Sequence, residues 1–314
     1  MHFAIDGTLW ENPAADGYDR MVLSVLEGLR GLGHTYTILG KKNATPATAS
    51  HWAETAPNWR EQFIPGGWLK KTVPRVMRER GLDRWVSWTG QAVPAEVPQT
   101  LLRVEPLKGV RLTTADGKAG VILPPYYPPA GPFAWEEREA IRATYSDRRE
   151  YFLWLGVIDR QERWKEVMKA FSQFKIRQRS QMRLLIAPWR VEDPTFQESL
   201  DTYKYRADVR VMEQWAPAAP GAYAWLYTAE TDNLGWVAAA ALTMGVPLIS
   251  TAESAARGWA ENAVEWVDPD AFPAIVEAML RLYKDEAYRK RLMDNGRVPD
   301  GAAVLRQYEQ VLTG

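Results

Sequence analysis

The chain has 314 residues, no cysteine, and 39 basic against 39 acidic side chains, with 46% apolar and 25% charged residues. That length suits two ordinary domains at roughly 150 residues each, and the composition is globular rather than disordered or collagen-like. Without cysteine there is no disulfide framework, thiol nucleophile or thiolate metal site, and a net charge of zero gives no overall field for steering onto nucleic acid.

The opening MHFAIDGTLWENPAADG lacks a basic n-region and a long apolar run, so it does not read as a signal peptide. No later segment offers the eighteen or so uncharged apolar residues of a transmembrane helix, and the expectation is a cytoplasmic chain. His2 to Ile5 reads as a strand that turns at Asp6-Gly7. Met21, Val22, Val25, Leu26 and Leu29 then recur at helical spacing, Gly31 and Gly33 end that helix, and Thr35 to Leu39 is the next strand. This is a β-α-β unit, which implies parallel strands. Lys41 to Asn58 has no clear period and reads as loop, Trp68 to Arg80 as helix despite Pro74, and Trp85 to Trp88 as a short strand. From Gln91 onward LLRV, VRLTT and GVILPP are short strands between turns. The run PPYYPPAGP at 124 to 132, with five prolines in nine residues, sustains neither helix nor central strand and marks a linker near residue 130.

Beyond it the periods sharpen. Trp135 to Tyr145 predicts a helix, Tyr151 to Val157 a buried strand, and Arg163 to Arg177 a helix with Val167, Ala170, Phe171 and Phe174 on one face. Met182 to Ala187, Val209 to Met212, Ala222 to Thr228 and Pro247 to Ser250 read as strands, alternating with helices over Pro194 to Tyr205 and Leu234 to Met244. Helices over Asp270 to Tyr283, Glu286 to Asn295 and Gly301 to Leu312 close the chain. Such alternation predicts a doubly wound sheet, whose ligands sit beyond the carboxyl ends of the strands.

Two stretches follow such ends: GVIDRQERWKEVMKAF at 156 to 171 and AETDNLGWVAAAALTMGVPLIS at 229 to 250. The second resembles the signature of the retaining GT-B glycosyltransferases of the glycosyltransferase group 1 type, the family that includes glycogen and sucrose-phosphate synthases. FLWLGVIDRQERWKEVMKAF is similar to that family's strand-Gly-Arg-Leu-x-x-x-Lys-helix unit, VEWVDPDAFPAIVEAMLRLYKDEAYRKRL to its valine-aspartate-proline stretch, and VILPPYYPP to its linker. DGYDRMVLSVLEGLRGLGHTYTIL resembles its first β-α-β. The resemblance implies an α/β, GT-B-like fold: two Rossmann-like doubly wound domains facing across a cleft. It implies an acceptor-side domain over 1–130, shortened relative to the family, a nucleotide-sugar donor domain over 131–300, and a helix over 301–314 that returns to the first domain.

Anchored on Gly245 to Ile249, the family's first acidic site falls at Asp232 and its second turn glycine at Gly235. Donor-binding candidates are Gly156, Asp232, Asn233, Leu234 and Gly235; Gly7, Gly17 and Glu105 are acceptor-side candidates; no catalytic residue is assigned. Three positions depart from the pattern. Val157 and Glu162 stand where the family has arginine and lysine, and Ala240 stands where it has a second glutamate. Cations aimed at a departing diphosphate stabilise the charge that develops there, so these replacements weaken or abolish the donor site. The implied function is retaining sugar transfer from a nucleotide sugar to a glycan or other acceptor, with no metal or cofactor. The alternative is an inactive homologue that binds or scaffolds a partner glycosyltransferase or a glycan.

Each residue also has a plainer reading. Asp232 precedes a helix and would cap its free N–H groups, and Gly7 and Gly17 would be simple turns. His34 is structural, and His2 and His51 are isolated in sequence. Asp159, Glu162 and Glu166 are solvated charges at a helix start, while Arg160, Arg163 and Lys165 offer phosphate binding in a shifted register. Of the fifteen tryptophans, Trp154, Trp225 and Trp236 suit packing, whereas Trp10, Trp52, Trp59 and Trp68 are the candidates for ligand platforms.

Overall fold

The computed structural model describes residues 1–11, 18–40, 49–54, 65–105, 109–113, 119–127, 131, 133–161, 163–232, 234–250, 253–268 and 272–314. The chain divides into two compact units, Met1–Pro128 with Pro299–Gly314, and Pro129–Val298.

The first unit is built on a sheet in the order β3-β2-β1-β4-β5-β6-β7. Its elements are β1 (His2–Asp6), α1 (Thr8–Glu11), α2 (Tyr18–Gly31), β2 (Thr35–Gly40), β3 (Trp52–Glu54), α3 (Val73–Arg80), β4 (Arg84–Ser87), β5 (Gln99–Glu105), β6 (Gly109–Thr113) and β7 (Ala119–Leu123). The strands from β3 to β5 pair in parallel, and β5, β6 and β7 follow as an antiparallel meander. Helix α2 buries Met21, Val22, Val25, Leu26 and Leu29, the stripe its spacing predicts. A π-helical turn, Trp68–Thr72, runs directly into α3, whose first turn carries Pro74. Strand β3 falls inside a stretch whose composition reads as loop. It is a three-residue edge strand, too short to show a period, paired through Ile38 with Trp52 and Leu39 with Ala53.

The second unit carries α4 (Trp135–Ser146), β8 (Tyr151–Ile158), α5 (Arg163–Gln178), β9 (Arg183–Val191), α6 (Phe196–Asp201), β10 (Val209–Val211), β11 (Ala224–Tyr227), β12 (Thr231–Asp232), α7 (Trp236–Thr243), β13 (Leu248–Ser250), β14 (Glu253–Ser254), α8 (Arg257–Ala260), β15 (Glu265–Trp266), α9 (Phe272–Lys284) and α10 (Glu286–Asp294). Six strands form one parallel sheet in the order β10-β9-β8-β11-β13-β15. This is the doubly wound arrangement in which the first three strands grow one way and the last three the other. A separate parallel ladder joins β12 and β14.

Helix α6 ends at Asp201, shorter than the sequence predicts, and just beyond it the Tyr203 hydroxyl donates to the Met168 carbonyl at 2.7 Å. The chain then returns to the first unit as α11 (Gly301–Thr313). There Tyr308 is fully buried, its hydroxyl donating to the Pro124 carbonyl at 3.0 Å and its ring lying 5.7 Å from that of Trp88. Among the described residues no helix is long and apolar enough to cross a membrane.

The core of the second unit gathers Phe152 and Trp154 from β8, Val167, Phe171 and Phe174 from α5, and Ile275 and Met279 from α9. Phe174 meets Phe152 edge-on at 5.2 Å and Tyr283 at the same separation. Phe174→Ala is therefore expected to cost about 3–5 kcal/mol of unfolding free energy, measured by urea titration.

Candidate functional site

In the second unit the strand order reverses between β8 and β11, and the crevice beyond their carboxyl ends is where such a sheet receives ligands. The register of β8 against β9 shifts between Gly156 and Val157, so the strand bends as it reaches this edge. Gly156 is buried, and a Cβ there would stand 2.6 Å from the Trp154 ring. The Trp154 indole N–H donates in turn to Thr228 Oγ1 at 3.0 Å, tying the end of β8 to the end of β11. Glycine at 156 thus makes room for an indole that bridges the two central strands.

Beyond β11 the chain forms β12, and Asp232 closes it. The Asp232 side chain is only 2% exposed. Its Oδ1 accepts the backbone N–H of Trp236, the first residue of α7, at 3.0 Å, and its Oδ2 accepts the Ser254 hydroxyl at 3.3 Å. Gly235 between them adopts a left-handed φ of +69°, and a Cβ there would lie 2.8 Å from the Ala256 nitrogen, so only glycine fits. Leu234 is fully buried. Asp232 therefore points inward, spends its oxygens on the start of α7 and the β14 hydroxyl, and satisfies the helix N–H that would otherwise face a ligand. Burial dominates its titration and pushes the carboxyl up to about 7, against the opposing pull of the Trp236 N–H and the Ser254 hydroxyl.

Around this edge Val157 and Ala240 are half-buried, and Ala240 lies within α7. Asn233 and Glu162 lie outside the described residues. Arg163 opens α5 and stands 3.5 Å from Glu230 after β11, while Lys165 lies over the Trp164 ring at 5.2 Å. Arg160 is exposed in the turn that follows β8. Asp159 accepts the Gln161 N–H at 3.0 Å, the fold of a local turn rather than a metal ligand. No cluster of three or more His, Asp or Glu with the geometry to hold a metal occurs among the described residues.

In the first unit the order reverses between β1 and β4. Gly7 follows β1, and a Cβ there would stand 2.6 Å from the Leu39 carbonyl oxygen, so its lack of a side chain is a packing requirement beside β2. The adjacent Asp6 is fully buried. Its Oδ1 accepts the Thr8 N–H at 3.0 Å and hydroxyl at 2.7 Å, and its Oδ2 accepts Ser87 Oγ at 2.8 Å and Thr89 Oγ1 at 2.7 Å. Gln91 Nε2 donates to Thr8 Oγ1 at 3.0 Å and half-covers this cluster. Thr8, Thr89 and Gln91 reach the surface there, so the carboxyl edge of the first sheet presents a hydroxyl and amide face backed by a buried carboxylate. Sequence reasoning missed it, although an aspartate before the turn glycine of the first strand was a visible sign. Glu105 ends β5, four residues past Leu101, which pairs with Ser87. Gly17 lies outside the described residues.

Two proposed platforms are corrected. Trp10 is 3% and Trp68 5% exposed, and Trp68 packs edge-on against Trp85 at 6.1 Å. Their amphipathic surroundings gave no period to reveal that burial. The side chains of Trp52 and Trp59 lie outside the described residues. Trp154, Trp225 and Trp236 are buried, and Trp215 meets both Trp225 and Trp236 edge-on at 5.5 and 5.3 Å. His34 holds Glu309 of α11 at 2.9 Å, a structural tie. His2 and His51, remote in sequence, line one shallow hollow of about 400 Å³ with Arg30 and Arg80, at the amino-terminal end of β2.

Residues 136–298, more than half of the 314-residue chain, match the family model described as glycosyl transferases group 1. No curated protein matches the chain in sequence. Among solved structures it is similar to Anabaena HepE in complex with UDP and glucose, with a TM-score of 0.73 at 10% identity over 100% of this chain and 99% of that one. It is similar also to WaaG, a glycosyltransferase involved in lipopolysaccharide biosynthesis, with a TM-score of 0.69 at 13% identity over all of both chains. Sucrose-phosphate synthase from Thermosynechococcus elongatus gives a TM-score of 0.69 at 15% identity over 99% of this chain and 98% of that one. At such identities these likenesses are of fold.

The state of Asp232 is open to titration. A carboxyl whose value rises from 3.8 to about 7 on folding stabilises the fold fully below 3.8, and that contribution is lost as the pH climbs through about 7. Asp232→Asn is neutral at every pH. Its melting temperature relative to the unaltered protein is expected to rise across that window and level off above it, by a few kcal/mol in stability at about 1.4 kcal/mol per pH unit; a flat difference would show an ordinary carboxylate.

Proposed function

Because the chain belongs to the glycosyl transferases group 1 family and shares the GT-B fold of its structural neighbours, we propose that it handles a nucleotide sugar at the carboxyl edge of the second sheet, transfers the sugar with retention, and does so with a weakened donor site. The observation that carries this reading is Asp232. A residue at the acidic position of the family motif is turned into the protein, with both oxygens engaged, and is not presented to a sugar. Beside it Val157 and Ala240 are apolar where a diphosphate and its nucleoside would need a cation and a carboxylate. Arg160, exposed in the turn after β8, supplies a cation for a phosphate there, with Arg163 held toward Glu230. Gly156, Leu234 and Gly235 shape the donor side through backbone and packing rather than through charge, and Asn233 joins them as a candidate from the resemblance alone.

The acceptor side falls to the first unit, where Gly7 brings the β1 turn against β2 and Thr8, Thr89 and Gln91 offer hydroxyl and amide groups suited to a glycan acceptor. The resemblance assigns Gly17 and Glu105 to this side as well. The reading needs no metal. The replaced positions also favour a second reading, in which the site has lost catalysis and the protein binds a glycan or supports a partner transferase.

Thermal denaturation with UDP, GDP, ADP and their glucose or mannose conjugates tests the first reading. One nucleotide is expected to raise the melting temperature, approaching about 2.7 kcal/mol of stabilisation at 100 times its dissociation constant. No shift with any of them defeats the enzyme reading and leaves the second. The combined change Val157→Arg, Glu162→Lys and Ala240→Glu is expected to tighten that binding at least tenfold by calorimetry. Unaltered affinity would mean that these positions do not face the nucleotide.

A further inference from the structure

The outer edge of the second sheet carries a hollow that the donor site does not use. It measures about 680 Å³ and lies between the segment from α8 to β15 and the end of α10, two strands away from β11. Its wall includes Trp259, Glu261 and Asn262 from the first segment and Arg291, Asp294 and Arg297 from the second. The two walls are fixed to each other by a hydrogen bond from Asn295 Nδ2 to the Asn262 carbonyl at 3.1 Å. Arg291 is braced by its guanidinium lying 5.0 Å over the Tyr288 ring.

The side-chain chemistry is specific. Among the described residues, the side chains of Glu261, Asp294 and Arg297 make no hydrogen bond or ion pair, though charges of both signs share one small hollow. Two carboxylates and two guanidinium groups there balance to zero, so an anion meets the carboxylates and a cation meets the arginines, and neither gains a net field. A neutral ligand dense in hydroxyl groups uses all of them, because each hydroxyl both donates to a carboxylate and accepts from an arginine or amide. A tryptophan on the same wall supplies an apolar face for the C–H side of a pyranose ring. We infer that this hollow is a carbohydrate-binding site, separate from the donor crevice, that holds a neutral sugar unit against Trp259 between the acid–arginine pairs. In a glycosyltransferase such a site would grip a glycan at a distance from the bond being made. The inference stands on the lining of the hollow and does not depend on nucleotide binding.

Saturation-transfer NMR on the whole protein tests it with the methyl glycosides of glucose, galactose, mannose, rhamnose and N-acetylglucosamine, together with maltotriose, cellotriose and chitotriose. At least one is expected to bind, and to stay bound in excess UDP. Trp259→Ala should weaken that sugar about tenfold, the size of one lost ring contact with its buried area. Should Trp259→Ala fail to fold, the surface double change Asp294→Ala with Arg297→Ala provides the same reading, its fold checked by circular dichroism. The inference is overturned if no sugar of the panel binds, if UDP displaces the bound sugar, or if binding survives both variants unchanged. Loss of nucleotide binding alone would defeat the donor reading and leave this one standing.

Discussion

Everything in the second unit hangs on one strand that is covered on both faces. From Tyr151 to Gly156, β8 is buried at every position, paired with β9 on one side and β11 on the other. A parallel strand in that position has no solvent face, so its residues are apolar in a row and helices must cover both sides. Right-handed crossovers then deliver the following loops to the same edge, beyond Ile158, Tyr227 and Ser250. The site is a consequence of this geometry before any side chain is chosen. Trp154 strengthens it by bridging from β8 to Thr228, and Gly156 exists to let that indole lie flat.

The same geometry explains why two glycines stand where they do around α7. Gly235 is demanded by a left-handed backbone beside Ala256, and Gly245 by another at the end of α7, where Arg138 gathers the Met244 and Gly245 carbonyls at 2.6 and 3.3 Å. These glycines hold the turn of the chain into and out of α7, and they persist for packing. Val157 and Ala240 are half-buried and hold no such backbone conformation. The fold's demands and any donor chemistry therefore fall on separate positions of one stretch.

Most of the architecture was legible because long parallel strands and amphipathic helices announce themselves. The stripe of α2, the face of α5 and the strand Tyr151 to Val157 were each written in the spacing of apolar residues. What escaped was short or cooperative. Strand β3 and the β12–β14 ladder have two or three residues each, too few for any period. The Asp6 cluster joins residues more than eighty positions apart, and burial of Trp10 and Trp68 depends on elements that contribute from elsewhere in the chain. Asp232 was visible both as a cap and as a ligand group, and only its surroundings show that its oxygens are engaged internally.

The return of α11 gives the first unit an unusual dependence on time. Its contacts His34 to Glu309 and Tyr308 to Pro124 close loops of 275 and 184 residues, with the whole of the second unit inside them. On a ribosome the second unit emerges as one uninterrupted length and can gather its sheet early. The first unit, though begun sooner, must wait with its α2 and β7 surfaces uncovered until Pro299 onward has been made. Completion of the earlier half is thereby gated by synthesis of the later one, so a nascent chain passes through a stage in which the half made second is whole and the half made first is not.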